Sequence, residues 1–342
     1  MNGQIWSLSV LAAALLAGCG GGGGVEEPPA PAVVPVTMAV SDAPVDDAEA
    51  VVVTIDRIIL RPAGGGEDVV VETFSNSAEG IEDEETITFD LLDYQGGAHF
   101  VVFEAQPLPV GDYQHVILEG PFDDITQTYV QEVGGAIKPI KVPSNELKLG
   151  QMVVAGDGAE PNYTIEFDLR QSMNYKPGPD EYTLKPRGVR IVQDAEVATV
   201  AGTVEVALLS AGDGCDAKVD AAEGNVVYLY GRGDEPPAGL ADVTDPDVAN
   251  NGLPEGYELP FAAAPVVWDE AYQEYRFAIG FVPAGDYRLA FACDAASDDP
   301  DLYDGIVIAN PAYSLADFSL IGGEDIDCSF TAEASACSAA VD

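Results

Sequence analysis

Short runs of β-branched and aromatic residues, each cut off by Gly, Pro, Asn or Asp, recur along most of this chain. In the first half they are VTMAVS (36–41), VVVTIDRIIL (51–60), DVVVETF (68–74), TITFDLL (86–92), HFVVFE (99–104) and YQHVILEG (113–120). In the second they are VATVAGTVEVALL (197–209), NVVYLYG (225–231), YRFAIGFV (275–282) and the turn-plus-strand PAGDYRLAFAC (283–293). Runs this short cannot make long helices, and no segment keeps a 3.6-residue apolar period. At this spacing they predict an all-β chain of antiparallel sandwiches. FDLRQSM (167–173) is the one candidate for a turn of helix, and Gly202 is expected to break its strand. VVVTIDRIIL alternates less cleanly than TITFDLL. The 342 residues, 47% of them apolar, suffice for two domains with ordinary cores.

The N-terminal end reads differently. Residues 5–18, IWSLSVLAAALLAG, are apolar and too short to span a bilayer comfortably, but they have the length of a signal-peptide core. Leu16-Ala17-Gly18-Cys19 resembles the bacterial lipobox, which implies cleavage before Cys19 and acylation of its thiol and new amino group. Two or three acyl chains anchor stably where one does not. The n-region MNGQ departs from the pattern in carrying no Lys or Arg. Gly20 after the cysteine resembles Gram-negative lipoproteins sorted to the outer membrane. The expected layout is a signal peptide over 1–18 and a Gly- and Pro-rich tether over 19–33, flexible first and stiffer after.

Charge narrows the partners. Fourteen basic residues face 59 acidic ones, a net of −45. Such a field repels nucleic acid and anionic headgroups and draws cations. Residues 19–194 hold 10 basic and 31 acidic residues, and 195–342 hold 4 and 28. An even spread suits a solvated surface better than one binding site.

Five segments, VSDAPVDDAEAVVVTIDRIIL, LLDYQGG, LPVGDYQHVIL, TIEFDLRQSM and EYTLKPRGVRIV, resemble successive blocks of the bacterial lipoprotein family known as domain of unknown function 4382. The resemblance implies an exported β-rich domain over 34–194 and no established activity. GTV, VVYLYG, an aromatic strand and PAGDY in turn resemble the carboxypeptidase regulatory-like and transthyretin-like sandwiches, placing a second domain over 195–320. Starch-binding modules share that fold. PVGDY (109–113) and PAGDY (283–287) echo each other. Pro and Gly suit a turn, and the Tyr that opens the next strand is expected to pack or corner a loop.

With Cys19 set aside, Cys215, Cys293, Cys328 and Cys337 remain, an even number in an exported chain. Of three pairings, Cys215–Cys293 with Cys328–Cys337 is preferred, the second closing a short C-terminal tail over 321–342. His99 and His115 lie in strand-like runs. No nucleophile elbow, zinc-protease helix or phosphate-binding loop occurs. No catalytic residues, no cofactor and no enzyme activity are therefore expected. An unrecognised hydrolase is the remote alternative.

Two acid-dense loops are candidate calcium sites. DAASDDPDLYDG (294–305) offers Asp298, Asp299, Asp301 and Asp304. ADVTDPDVANNG (241–252) offers Asp242, Asp245, Asp247 and Asn250. Neither has the spacing of a calcium-binding EF loop. Trp268, Tyr272 and Tyr275 crowd one hairpin and, with Tyr163, Tyr175 and Tyr182, are candidates for stacking on sugars. The combined reading is a non-enzymatic binding or structural module, lipid-anchored in a Gram-negative outer membrane. Its partners would be the membrane and a glycan or envelope protein, with carbohydrate recognition as the alternative emphasis.

Overall fold

The computed structural model describes residues 32–43, 48–156 and 160–340. The expected signal peptide (1–18), Cys19 and nearly all of the expected tether (19–33) lie outside the described residues. No helix among the described residues is long and apolar enough to cross a membrane.

The protein is all-β. Three main sheets form the first half. A four-stranded sheet runs in the order Val189–Gln193, Asn162–Asp168, Val33–Ala43, Phe100–Pro109. A six-stranded sheet runs from Met173–Lys176 and Glu181–Leu184 at one edge through Ala48–Ile55 to Ile87–Asp90. A five-stranded sheet centres on Gly111–Glu119 and Arg57–Pro62. Their inner faces share one core, with Val36, Met38, Ile55, Ile58, Phe74, Phe103 and Phe167 all buried. Most pairs are antiparallel, but Val33–Ala43 runs parallel to Asn162–Asp168.

The uneven alternation of VVVTIDRIIL has a structural cause. The run is two strands, Ala48–Ile55 and Arg57–Pro62, in different sheets. Asp56 is the bend between them, its N–H bonded to the Glu119 carbonyl at 3.0 Å. Val51, Val53 and Ile55 point inward before the bend, and Ile58 and Leu60 after it. The inward phase shifts from odd to even positions as the chain changes sheet.

In the second half, a five-stranded sheet runs Val267–Asp269, Glu274–Pro283, Val197–Val204, Ile326–Phe330, Ser335–Ala339. A four-stranded one runs Ala262–Pro265, Val226–Gly231, Gly285–Ala292, Leu315–Leu320. Val200, Ile279, Leu289, Phe291 and Phe330 fill the space between them. A smaller cluster, with Tyr228, Tyr230, Val243 and Ala292, lies on the other side of the four-stranded sheet. The strand Val226–Gly231 is buried on both faces, which is why NVVYLYG reads as a continuous apolar run.

Two expectations are corrected. Gly202 does not break its strand: Val197–Val204 is continuous and alternates cleanly. A Cβ at Gly202 would sit 2.1 Å from the Cys328 carbonyl oxygen, so the glycine permits close approach of the parallel neighbour Ile326–Phe330. Residues 321–342 are not a tail appended to the second sandwich. Ile326–Phe330 and Ser335–Ala339 are two of its strands, and Cys328 stands opposite Cys337 across that pair.

The PVGDY and PAGDY echo proves to be one repeated corner. Tyr113 donates its hydroxyl to the Pro109 carbonyl at 2.7 Å, and Tyr287 to the Pro283 carbonyl at 2.9 Å. Each hydroxyl reaches back four residues across a tight hairpin turn.

The preferred disulfide pairing is the one present, Cys215–Cys293 and Cys328–Cys337. The first spans 78 residues and the second 9. On loop-closure entropy alone, replacing Cys215 and Cys293 together by Ala should cost ~4 kcal/mol and the other pair ~2.5 kcal/mol. Denaturant midpoints of the two double variants measure this, and equal losses would contradict the ordering.

Candidate functional site

Among the described residues no sheet contains strands from both halves, so side chains and loops make the joint. At its centre is Asp168, which ends the strand Asn162–Asp168 and caps the four-residue helix Leu169–Ser172, the helical turn expected from FDLRQSM. Its carboxylate accepts from Gln171 N at 3.2 Å, from Gln171 Nε2 at 2.6 Å, and from Ala263 N of the second half at 3.3 Å. Gln171 Nε2 also donates to the Phe261 carbonyl at 3.0 Å, as does Arg190 at 3.2 Å. The Arg190 guanidinium lies 4.3 Å above the Phe261 ring. Gly188 lets this happen. Its φ is +76°, and a Cβ there would meet Gln171 Cβ at 2.6 Å.

Beside this centre, Asp42 and Glu166 are fully buried on the paired strands of the parallel ladder. The Leu169 N–H lies near Asp42 and the Ser41 hydroxyl near Glu166, and Arg190 stands 3.8 Å from Glu166. Burial, with Glu166 and Asp168 nearby, pushes the Asp42 carboxyl well above its usual range. Burial pushes Glu166 up to about 8, against the pull of Arg190 and with Asp168 adding to the rise.

The outer part of the joint is ionic. Lys176 and Lys185 both reach Asp301 at 2.5 Å, and Lys185 reaches Asp245 at 3.0 Å. Arg170 lies 3.5 Å from Asp298, and Asn174 donates to Asp299 at 3.3 Å. Burial works against the charge on Asp301, but hydrogen bonds from Lys176 and Lys185 outweigh it and hold the carboxyl below its usual range.

These contacts give the carboxylates of both acidic loops partners within the protein. Asp298, Asp299 and Asp301 face cations and amides of the first half. Asp304 accepts from Asp299 N at 2.6 Å. In the other loop Asp242 accepts from Asp304 N at 3.1 Å and Ile306 N at 3.0 Å, tying the two loops together. Asp247 donates its N–H to Asp245, which turns its own loop. Among the described residues no group of three acidic, His or Cys side chains is placed to hold a metal ion. The carboxylates here draw their positive charge from lysine and arginine instead.

Next to the joint a cleft of about 970 Å³ opens between the halves. Each wall is an edge hairpin carrying a cross-strand aromatic pair. On the first half Tyr175 stands opposite Tyr182, ring centres 5.1 Å apart and tilted 48°. On the second, Trp268 stands opposite Tyr275, 5.1 Å apart and 64° edge-on. Trp268 is 40% exposed, and Val133 and Val267 on opposite walls are 67% and 54% exposed. Glu132, Asn174, Asn225, Asp298 and Asp299 supply polar groups. The Tyr182 hydroxyl is held by Glu132 at 3.1 Å.

The other candidate aromatics lie elsewhere. Tyr163 is buried in the first-half core and bonds the Val153 carbonyl at 2.5 Å. Tyr272 sits at a hairpin tip outside the cleft lining, with Arg276 4.7 Å above its ring. Of the histidines, His115 Nδ1 meets the Leu149 carbonyl at 3.1 Å, and His99 packs edge-on to Phe281 at 6.3 Å.

The joint residues Asp42, Glu166, Asp168, Gln171 and Arg190 were not singled out as site candidates from sequence. One signal was present: Arg170, Lys176, Lys185, Arg187 and Arg190 are five of only 14 basic residues, packed into 21 positions.

The fold and cleft thus define an all-β protein of two joined sandwich-like halves with an aromatic ligand-sized cleft between them. Residues 34–186 match the family described as domain of unknown function (DUF4382). No curated protein matches the chain. Among solved structures, a candidate cell adhesion protein from Bacteroides uniformis aligns over 91% of this chain and 97% of its own, at 9% identity and a TM-score of 0.21. A similar one from Bacteroides eggerthii aligns over 90% and 87%, at 10% identity and a TM-score of 0.22. The major pilin subunit of Bacillus cereus aligns over 84% and 60%, at 11% identity and a TM-score of 0.16. Superpositions at this level assign no function.

The buried carboxyls make the joint pH-sensitive. Folded Glu166 keeps its proton up to about pH 8, whereas the unfolded chain releases it near 4.5. Its contribution therefore favours folding fully below pH 4.5 and is lost as pH rises through 8. Melting temperature should fall across this window, and Glu166→Gln should flatten the fall. An unchanged pH profile in the variant would show that Glu166 does not titrate there.

Proposed function

We propose that this chain is a non-enzymatic, envelope-tethered binding protein whose ligand site is the cleft between its halves. The ligand class that fits is a glycan. The observation that carries this reading is the pair of facing edge hairpins, each with a cross-strand aromatic pair beside amides and carboxylates. Sugar rings stack on aromatic faces while their hydroxyls bond to such groups. The resemblance of the second half to sandwiches shared with starch-binding modules supports the same class.

A hydrolase would need one carboxyl as acid and another as base or nucleophile, facing each other across the scissile bond. Here Asp298 is bound through Oδ2 by Tyr228 at 2.7 Å, and Asp299 accepts from Asn174 and Asp301 N. Groups already engaged in holding the joint suit positioning better than proton transfer.

Anchoring through Cys19 is the second element of the proposal. The apolar segment 5–18, the lipobox residues 16–19 and the Gly- and Pro-rich stretch after them support a lipoprotein leash at the outer membrane.

Screened on a glycan array, the full-length protein should bind a defined set of glycans, recovered uncleaved. Trp268→Ala should weaken that binding at least ~10-fold, in line with the ~1–3 kcal/mol carried by a stacked ring. A variant that binds as well as wild type would remove the cleft as the site. Labelling of growing cells with a palmitate analogue should tag the wild type and spare Cys19→Ala. Equal labelling would end the anchor proposal.

A further inference from the structure

The cleft is not electrically neutral. Glu132, Glu223, Asp298 and Asp299 line it, with Arg170 as the one basic residue among the lining side chains described. One of these acids is also incomplete. The Asp298 side chain is 1% exposed, and its Oδ2 takes the Tyr228 hydroxyl at 2.7 Å and faces Arg170 at 3.5 Å. Its Oδ1 has no hydrogen-bond partner. A buried carboxylate oxygen without a donor keeps its charge poorly compensated. A cation on the cleft floor beside Asp298 would offset that charge across a short, poorly screened distance. Aromatic faces add to the effect, since their quadrupoles attract cations and are indifferent or repulsive to anions. The whole chain carries −45, which disfavours any acidic polysaccharide at long range.

Resting on the glycan reading above, we infer that the cleft selects a positively charged sugar, an oligosaccharide with free, protonated 2-amino groups. An ammonium on the floor side lies beside the carboxylates of Asp298 and Asp299, and its ring packs against the Tyr175–Tyr182 and Trp268–Tyr275 pairs. Neutral N-acetylated sugars offer the same rings without the charge. Acidic sugars meet the four carboxylates.

The charge on Asp298 depends on its surroundings. Burial pushes its carboxyl up to about 6, opposed by Arg170 and the Tyr228 hydroxyl, with Asp242 and Asp304 adding to the rise. It is therefore mostly ionised at pH ~6.5, a condition under which amino sugars still carry charge.

Titration calorimetry on the full-length protein at pH ~6.5 tests the inference with four probes: a glucosamine hexamer, the N-acetylglucosamine hexamer, a uronic-acid hexamer and a lysine hexapeptide. The glucosamine hexamer should bind at least ~10-fold tighter than the N-acetylated one, weaken with added salt, and lose ~10-fold or more in Asp298→Asn, as expected for removing one carboxylate charge a few Å from the ammonium. The uronic-acid hexamer should not bind. Glu223→Gln, at an exposed acid of the cleft lining, keeps the test open should Asp298→Asn melt early. It should weaken the glucosamine hexamer more than the N-acetylated one.

If the two hexamers bind equally and only Trp268→Ala weakens them, charge selection is wrong while the glycan cleft stands. If the lysine peptide binds as tightly as the glucosamine hexamer and Trp268→Ala leaves both unchanged, the cleft is a general cation trap and the glycan reading falls with the inference. No binding of any sugar removes both.

Discussion

The carboxylate of Asp168 is the contact on which the arrangement of the two halves depends. It has no access to water, so its charge must be satisfied by protein groups. Two of its donors come from Gln171 on its own helical turn and one from the Ala263 backbone in the second half. Phe261, two residues earlier, receives Gln171 and Arg190 on its carbonyl. A hydrophobic interface would tolerate sliding by a residue or more. A buried carboxylate that loses one of its donors by sliding is left with an uncompensated charge, which penalises every register but one. The joint therefore fixes geometry more than it adds net stability.

Scarcity of cations shapes the outer joint. Acidic loops 241–252 and 294–305 would repel one another if left alone. Asp242 solves part of the problem by accepting backbone N–H groups from the other loop, and the remainder is met from the first half by Lys176, Lys185 and Arg170. Single exposed pairs of this kind contribute little. Here they share partners: Asp301 takes two lysines, and Lys185 takes two aspartates. In a shared network one fixed side chain serves two contacts, so less conformational entropy is lost per contact. The first half therefore does more than sit beside the second; it supplies the charge that lets those loops stay folded against the sheet.

Strand periodicity made the all-β class legible, and so did residue types with a local meaning. The short-range disulfide, the helical turn capped by Asp168 and the paired Pro-to-Tyr corners all involve residues close in sequence. What escaped was long-range. Acid density marks Asp298 and Asp301 as candidate cation ligands but does not show that arginine and lysine side chains of the first half meet them. The deciding partners, Arg170, Lys176 and Lys185, are more than a hundred residues away. Tyr163, Tyr175 and Tyr182 are indistinguishable as types, yet sheet position buries Tyr163 and Tyr182 in the core and leaves Tyr175 half-buried, with Tyr175 and Tyr182 also bordering the cleft. Gly202 was misread for a related reason. A glycine in a strand pattern signals either a break or a close neighbour, and only the parallel strand holding Cys328 decides between them.

The cleft follows from the joint. Its two walls, Met173–Lys176 with Glu181–Leu184 and Val267–Asp269 with Glu274–Pro283, are sheet edges, places where unpaired backbone invites unwanted pairing. Cross-strand aromatic pairs stiffen both hairpins. Each wall continues directly into a joint element: Met173 follows the helical turn capped by Asp168, and Val267 follows the strand Ala262–Pro265 whose Ala263 bonds that same Asp168. One carboxylate therefore sets the starting point of both walls.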